Sequence, residues 1–359
     1  MKVPRLGRHT KRIGGGALGI GFIALVFLVL LPRIASYRDV LDAISRLTWK
    51  DGLVLLVAVI VNVATFAPPW MAALPGLGFG HALVVTQAST AASSVVPGGE
   101  AVGLGLSVGM LRAWHFQRTA VALATIVVTV WNVFAKVCFP LLAIGLLAIE
   151  GDKNRTLSLL APIAFAVLVV MLAAVIAAFW SEAQARRIGG WAARLVAPGM
   201  RLLRKQPPIE FGASVARFRG NALVLLRRRW PWLTLATAVG HLSTFALLLV
   251  LLRALGITSD EISAVEAFAA WSLARLLTII PLTPGGLGLI ELGMTGALLA
   301  FGGSNADVVA AVLLYRLLTW LPTLAVGLPS AFLWRRMHPA EYETETEEAA
   351  EVLAAAEKS

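Results

Sequence analysis

Charged side chains are scarce in this sequence: they make up 14% of its 359 residues, whereas hydrophobic types make up 58%. A soluble domain carries about 25% charged residues. This shortage excludes a soluble globular enzyme and a disordered chain. The formal net charge is +11, but the basic residues lie between apolar runs rather than on one polar surface, which argues against a nucleic-acid-binding protein. The composition predicts a polytopic membrane protein.

Cysteine is nearly absent as well. Cys138 is the single cysteine, and it lies inside an apolar run. One chain can then form neither a disulfide nor a cysteine metal cluster. The five histidines are scattered without metal-ligand spacing, and the sequence contains no Walker-type phosphate loop and no HExxH motif. We therefore expect a protein that is not an enzyme and that holds no cofactor and no metal.

Long apolar runs dominate the chain. A helix needs about 20 apolar residues to cross the hydrocarbon core of a bilayer. Six segments reach that length: 13–31, 52–73, 119–149, 157–180, 231–252 and 307–334. We predict a transmembrane helix at each of them.

Two further apolar stretches, 81–111 and 263–302, are interrupted in the middle. Proline removes a backbone donor and glycine frees the backbone, so each break can turn a helix back on itself. We predict two re-entrant helical hairpins; two kinked full-length spans are the alternative. The hairpin-forming residues are Pro97, Gly98 and Gly99 in the first stretch, and Pro281, Thr283, Pro284, Gly285, Gly286 and Gly288 in the second.

Basic residues in the loops orient the chain in the membrane. By the positive-inside rule, the basic N-terminus 1–12 and the basic stretch 181–230 lie in the cytoplasm, together with the acidic tail 336–359. Residues 13–335 then form the membrane domain of a multi-pass plasma-membrane protein with both termini cytoplasmic. The stretch 181–230 resembles short amphipathic helices, which we expect to contact anionic lipid of the inner leaflet.

This topology contains an internal symmetry. Units 52–149 and 231–334 each consist of a span, a hairpin and a span, and the two hairpins enter the membrane from opposite sides. Interrupted segments at matching places in two inverted halves mark the central site of a transporter. The predicted fold is an all-α polytopic membrane protein with about six transmembrane helices plus two re-entrant helical hairpins in an inverted repeat.

Five ionisable residues fall within the apolar stretches, where charges are costly and seldom face lipid. They are Glu100, Lys136, Arg275, Glu291 and Arg316. In a structural interpretation, Glu291 pairs with Arg275 and Glu100 caps the second leg of the first hairpin. In a functional interpretation, which is compatible with the first, the three cations gather at the hairpin tips and bind a lipid phosphate through the planar fork of arginine.

Small polar residues in the spans predict helix contacts. Ser89, Thr90, Ser93 and Ser94 favour close helix packing, as small residues do in membranes. We interpret Asn62, Asn132 and His241 as interhelical hydrogen-bonding residues.

The segment 281–291, PLTPGGLGLIE, is preceded by Arg275 and followed by Tyr315 and Arg316. This pattern resembles the lysylphosphatidylglycerol synthase transmembrane region, over roughly residues 15–335. The resemblance implies lipid translocation or handling. It does not imply aminoacyl transfer, because the acidic tail stands where full-length members carry a soluble aminoacyl-transferase domain. We count Tyr315 with the five ionisable residues as expected substrate-binding residues.

The expected function is movement or handling of an anionic phospholipid, or of a polyprenyl-phosphate-linked lipid, between leaflets. Membrane lipids are then its partners, with no nucleic acid. The alternative is a non-transporting scaffold or accessory subunit for cell-envelope glycolipid synthesis, which would have a cell-envelope enzyme as partner and use the charges only to hold the hairpins. A third possibility is a secondary transporter of small solutes, which predicts a narrow cavity closed to lipid.

Overall fold

The computed structural model describes residues 37–95, 99–150, 211–279 and 283–337, and every regular element in these ranges is helical. The expectations for Pro97, Gly98 and Pro281 lie outside the described residues. So do those for the spans 13–31 and 157–180, for most of the basic stretch and for the acidic tail. The helices are α1 Tyr37–Ser45, α2 Trp49–Thr65, α3 Pro68–Ala73, α4 Phe79–Val95, α5 Gly99–Ala113, α6 Arg118–Glu150, α7 Phe211–Ala254, α8 Ala264–Leu276, α9 Leu289–Ala300 and α10 Asn305–Leu333.

Four helical segments in the described part of the chain are long and apolar enough to cross a membrane. They are Trp49–Ala73, Arg118–Ile149, Arg227–Ala254 and Asn305–Arg336. These segments agree with four of the six predicted spans. The described part of the chain is therefore all helical, with the long apolar helices typical of a membrane protein.

Polar side chains fix where two of the helices begin. The backbone N–H of Thr48 donates to Asp51 Oδ2 at 2.8 Å, and the Asp51 N–H donates in return to Thr48 Oγ1. Ser263 and Glu266 form the same reciprocal arrangement at the start of α8. Such a capping box satisfies backbone donors that a helix leaves open at its first turn.

Each interrupted stretch forms two helices that pack against each other, α4 with α5 and α8 with α9. We call these the first and second helix pairs. A Cβ built on Gly103 would lie 2.1 Å from Ser93 Oγ and 2.4 Å from the Ser89 carbonyl oxygen, and one on Gly99 would lie 2.3 Å from the Ser93 carbonyl oxygen. The first pair can approach this closely only because α5 presents glycine to α4. The predicted packing role of Ser89 and Ser93 is confirmed.

The helix pairs exchange partners between the two units. α4 of the first pair packs against α10, the long helix that follows the second pair. α8 of the second pair packs against α6, the long helix that follows the first pair, and α2 packs against α7. Each unit therefore completes the packing of the other.

Two hydrophobic cores lie at opposite ends of the long helices. One contains α4, α5 and the first part of α6, from Val121 to Val128; the other contains α8, α9 and the later part of α6, from Phe139 to Leu147. α7 contributes Leu233 to the first core and Leu247 to the second. The two helix pairs are thus separated along α6, one towards each end.

Candidate functional site

The turn of the second helix pair meets the end of the first. A Cβ built on Gly285 would lie 3.6 Å from Ser94 Cβ, at the end of α4, and 3.2 Å from Trp320 Nε1 on α10. Gly285, with φ 59°, and Gly286, with φ 70°, both adopt the left-handed backbone conformation that glycine tolerates best. The predicted hairpin-forming role of these two glycines fits this tight turn. The turn of the second pair therefore lies close to the end of α4.

Arg316 ties α10 to this turn. Its Nε donates to Glu291 Oε1 at 2.7 Å, and one terminal nitrogen donates to the Gly285 carbonyl oxygen at 2.9 Å. The second carboxylate oxygen of Glu291 accepts from the Gly288 N–H at 2.7 Å. Glu291 is fully buried, and the Arg316 side chain is 14% exposed. We call this arrangement the Arg316 latch.

The predicted pair between Glu291 and Arg275 is wrong. The two residues flank the turn on α9 and α8, which made them plausible partners in sequence. The approach of α10 brings Arg316 to the carboxylate instead. This contact joins residues 25 positions apart on different helices, and local spacing gives no information about it.

Arg275 is held by aromatic side chains. Its guanidinium carbon lies 4.9 Å from the centre of the Trp271 ring, over the ring. The Trp271 Nε1–H donates to the Tyr315 hydroxyl at 3.0 Å, and both aromatic residues are buried. Arg275 also hydrogen-bonds with the Tyr315 side chain, and the positive charge of Arg316 repels it. Within the described residues, no carboxylate lies within 4.0 Å of its guanidinium.

Lys136 and Glu100 complete a set of six residues that we call the charged group; the other four are Arg275, Glu291, Tyr315 and Arg316. Lys136 is half-buried near the middle of α6 and interacts electrostatically with Arg275 and Glu100. Glu100 is exposed at the second position of α5. Contacts therefore join Arg316 with Glu291, and Arg275 with Tyr315. Lys136 and Glu100 are linked to them by electrostatic interaction alone. Three cations face two carboxylates, which leaves one positive charge in excess.

Beside this group, polar side chains join the long helices. Asn62 on α2 donates from Nδ2 to Ser243 Oγ and Thr244 Oγ1 on α7, each at 2.9 Å. His241 Nε2 lies 3.1 Å from Asn132 Oδ1 on α6. The predicted interhelical hydrogen bonding of Asn62, Asn132 and His241 is confirmed.

Sequence reasoning missed Trp271 and Trp320 as parts of the site. Trp271 precedes Arg275 by four residues on α8, a spacing that places both side chains on one helix face, and this spacing could have revealed the pair. For Trp320 the sequence offers no comparable signal, since its contact with Gly285 depends on how α10 crosses the turn.

One catalytic motif is present in the sequence but not in the structure. Residues 105–109 read GLSVG, which matches GxSxG, the motif of a serine nucleophile at a strand-to-helix turn. Ser107 instead lies inside α5, buried, and donates to the Gly103 carbonyl oxygen at 3.1 Å. The pattern therefore lacks the turn that the chemistry needs. In the described ranges, no three His, Cys, Asp or Glu residues group as metal ligands.

A family model described as "Lysylphosphatidylglycerol synthase TM region" matches residues 16–327 of the chain. The match contains both helix pairs, three of the four described spans, most of the fourth, and the whole charged group. No curated protein matches the chain.

Proposed function

We propose, from the premise that this chain belongs to the family of the lysylphosphatidylglycerol synthase transmembrane region, that it moves a lipid with an anionic headgroup between the leaflets of a membrane. The lipid is an anionic phospholipid or a polyprenyl-phosphate-linked lipid. The protein would sit in the plasma membrane with both termini cytoplasmic, and it would not act as an enzyme.

The charged group carries this proposal. Lys136 and Arg316 lie near the middle of α6 and α10, where a spanning helix would meet the centre of the bilayer. Ionisable residues at that depth are expensive and mark substrate pathways by default. The excess positive charge suits one anionic headgroup, and arginine offers phosphate two parallel hydrogen bonds.

The helix pairs support a re-entrant arrangement. Their four helices contain 12 to 17 residues, or about 18–26 Å at 1.5 Å per residue, which is short of a hydrocarbon core of about 30 Å. Each pair packs in the core at a different end of α6, and the turn of the second reaches Ser94 of the first. We therefore describe the pairs as hairpins that enter from opposite sides and meet midway, in an inverted repeat.

Transport then follows from alternate opening of the two hairpins. With one hairpin displaced, the headgroup would reach the charged group from one side; with the other displaced, it would leave on the opposite side. Inverted repeats generate such a pair of states around one fixed site. In the absence of a nucleotide-binding loop in the sequence, movement would follow a lipid gradient or be coupled to ions.

Lipid movement in liposomes tests the proposal. The full chain is reconstituted with acyl-chain-labelled phosphatidylglycerol, phosphatidic acid or polyprenyl phosphate, and the label on the outer leaflet is quenched chemically. We expect the protein to expose inner-leaflet label to the quencher. Arg275→Gln should abolish this, whereas Arg38→Gln, at an exposed position on α1, should not. Rates equal to those of protein-free liposomes for all three lipids would overturn the proposal.

The Arg316 latch favours a second candidate, a scaffold or accessory subunit for cell-envelope glycolipid synthesis. In that case the buried pair serves only to hold the second hairpin. The scaffold predicts that Arg275→Gln leaves both folding and partner binding intact, and that no lipid moves in the liposome assay.

A further inference from the structure

The two arginines of the charged group have different surroundings. We infer that they divide the work of the site: Arg275 binds the phosphate of the ligand, and Arg316 holds the turn of the second helix pair. This inference rests on the proposed lipid transport and assigns separate roles within the same site.

Arg316 is committed to protein partners. Two of its nitrogens donate to Glu291 and to the Gly285 carbonyl oxygen, and its charge is neutralised by a fully buried carboxylate. A phosphate that took Arg316 would leave Glu291 buried without a counter-charge. Breaking a buried pair in this way is strongly unfavourable. Arg316 is therefore the less suitable phosphate ligand.

Arg275 keeps most of its donors. It lies over the Trp271 ring, whose face attracts the cation, and it hydrogen-bonds with the Tyr315 side chain. A guanidinium has five N–H donors, so one bond to Tyr315 leaves others for a ligand. The ring carries no net charge, so the charge of Arg275 remains uncompensated. A cation that Trp271 and Tyr315 hold in position, with donors beyond the Tyr315 hydrogen bond, is the arrangement that a phosphate requires.

Lys136 supplies a second cation on the other unit. It lies on α6, which packs against α8, and it interacts electrostatically with Arg275. Glu100 also acts on Lys136, but no carboxylate in the described residues lies within 4.0 Å of the ammonium. A phosphate between Arg275 and Lys136 would therefore join the two units through one anion.

Trp271 and Tyr315 are positioning residues for Arg275. The hydrogen bond from Trp271 Nε1 to the Tyr315 hydroxyl fixes the plane of the indole, on which the guanidinium lies. Tyr315 comes from α10 and directly precedes Arg316. One helix thus holds the turn through Arg316 and orients the anion-binding arginine through Tyr315.

Because the two arginines have different roles, we predict that replacing each of them by methionine changes the stability in opposite directions. Arg275→Met removes an uncompensated cation, so the melting temperature without ligand should rise, by about 2–4 °C. Arg316→Met leaves Glu291 buried and unpaired, so the melting temperature should fall. Arg316→Lys keeps a positive charge beside Glu291, so it replaces the methionine variant in these measurements if that variant fails to fold.

The test uses the full chain in an uncharged detergent, with unfolding followed by tryptophan fluorescence. The probes are phosphatidylglycerol, diacylglycerol without phosphate, and inorganic phosphate. We expect phosphatidylglycerol to raise the melting temperature of wild type and of Arg316→Lys but not of Arg275→Met, and diacylglycerol to raise none. A shift with inorganic phosphate that Arg275→Met also abolishes supports the same assignment, with the phosphate group alone as ligand.

Positioning is tested by keeping or removing the ring. Trp271→Phe retains a ring face and should raise the phosphatidylglycerol concentration needed for half the shift only a few-fold, whereas Trp271→Leu should raise it about tenfold. Tyr315→Phe should fall between them. Equal losses for Phe and Leu at position 271 would contradict a role of the ring in orienting Arg275.

Two outcomes overturn the division of roles: Arg275→Met responding to phosphatidylglycerol as wild type does, or Arg316→Lys alone losing the response. The liposome assay separates this failure from failure of the proposed function. If wild type moves lipid and Arg275→Met moves it equally fast, the assignment is wrong and lipid transport stands. If wild type moves no lipid, the proposed function itself fails.

Discussion

Glu291 is the one acidic residue that is buried in the part of the chain whose burial the structure describes. Its side chain is fully buried, and its two oxygens accept from Arg316 and from the Gly288 backbone. A buried ion pair contributes little beyond the cost of desolvating both charges, but removal of one partner is expensive. At the scale of the single residue, the stability of the second helix pair therefore depends on this carboxylate keeping Arg316 as its partner.

We predict that Glu291→Gln lowers the stability of the protein by about 3–5 kcal/mol, because Arg316 is left without a counter-charge. The measurement is the melting temperature of the full chain in detergent. The matched control is Arg46→Gln, which removes the Arg46–Asp307 pair, where the Arg46 side chain is 60% exposed. An exposed pair contributes about 0–1 kcal/mol. Equal losses for the two variants would show that burial of the Glu291 pair has no special cost.

At the scale of the elements, sequence patterns predicted where helices run and where they break. Apolar length identified the four described spans, and the glycine-rich break at 284–286 identified the turn of the second pair. Length and backbone chemistry are local properties, so the sequence contains them directly. The partner of Glu291 and the exchange of α4 and α8 between units depend on how helices cross, which no local pattern specifies.

Close approach of α4 and α5 gives a prediction for one glycine. Gly103→Val places a branched side chain where even a Cβ would lie 2.4 Å from the Ser89 carbonyl oxygen, so we expect a loss of about 1–3 kcal/mol. Gly105→Ala, two residues along the same helix, meets nothing within 4 Å and should be neutral or stabilising. The melting temperatures of both variants measure the difference. An unchanged melting temperature for Gly103→Val would mean that α4 and α5 pack more loosely than in this structure.

At the scale of the whole molecule, the two cores place the loops of the two helix pairs at opposite ends. Trp114 and Phe116, in the loop between α5 and α6, belong to the first core. Leu255 and Ile257, just after the end of α7, belong to the second. α6 runs from the first core to the second. Under the proposed topology, the two loops therefore lie at opposite faces of the membrane.

Labelling of introduced cysteines tests that topology. Gln117, before α6, and Asp260, before α8, are both exposed. With Cys138→Ser as background, we expect a membrane-impermeant maleimide added to intact cells to label Asp260→Cys and not Gln117→Cys. Permeabilised cells, in which both variants should react, provide the control. Labelling of both positions from outside would contradict hairpins that enter from opposite faces.

The exchanged packing of α4 and α8 makes the two halves of the chain interdependent. A cut between the units would strip each helix pair of the long helix that covers it, and each fragment would expose a surface shaped for the missing one. Neither fragment is then a domain in its own right, although each repeats the same plan. The two units are interlocked rather than arranged as two independently packed halves.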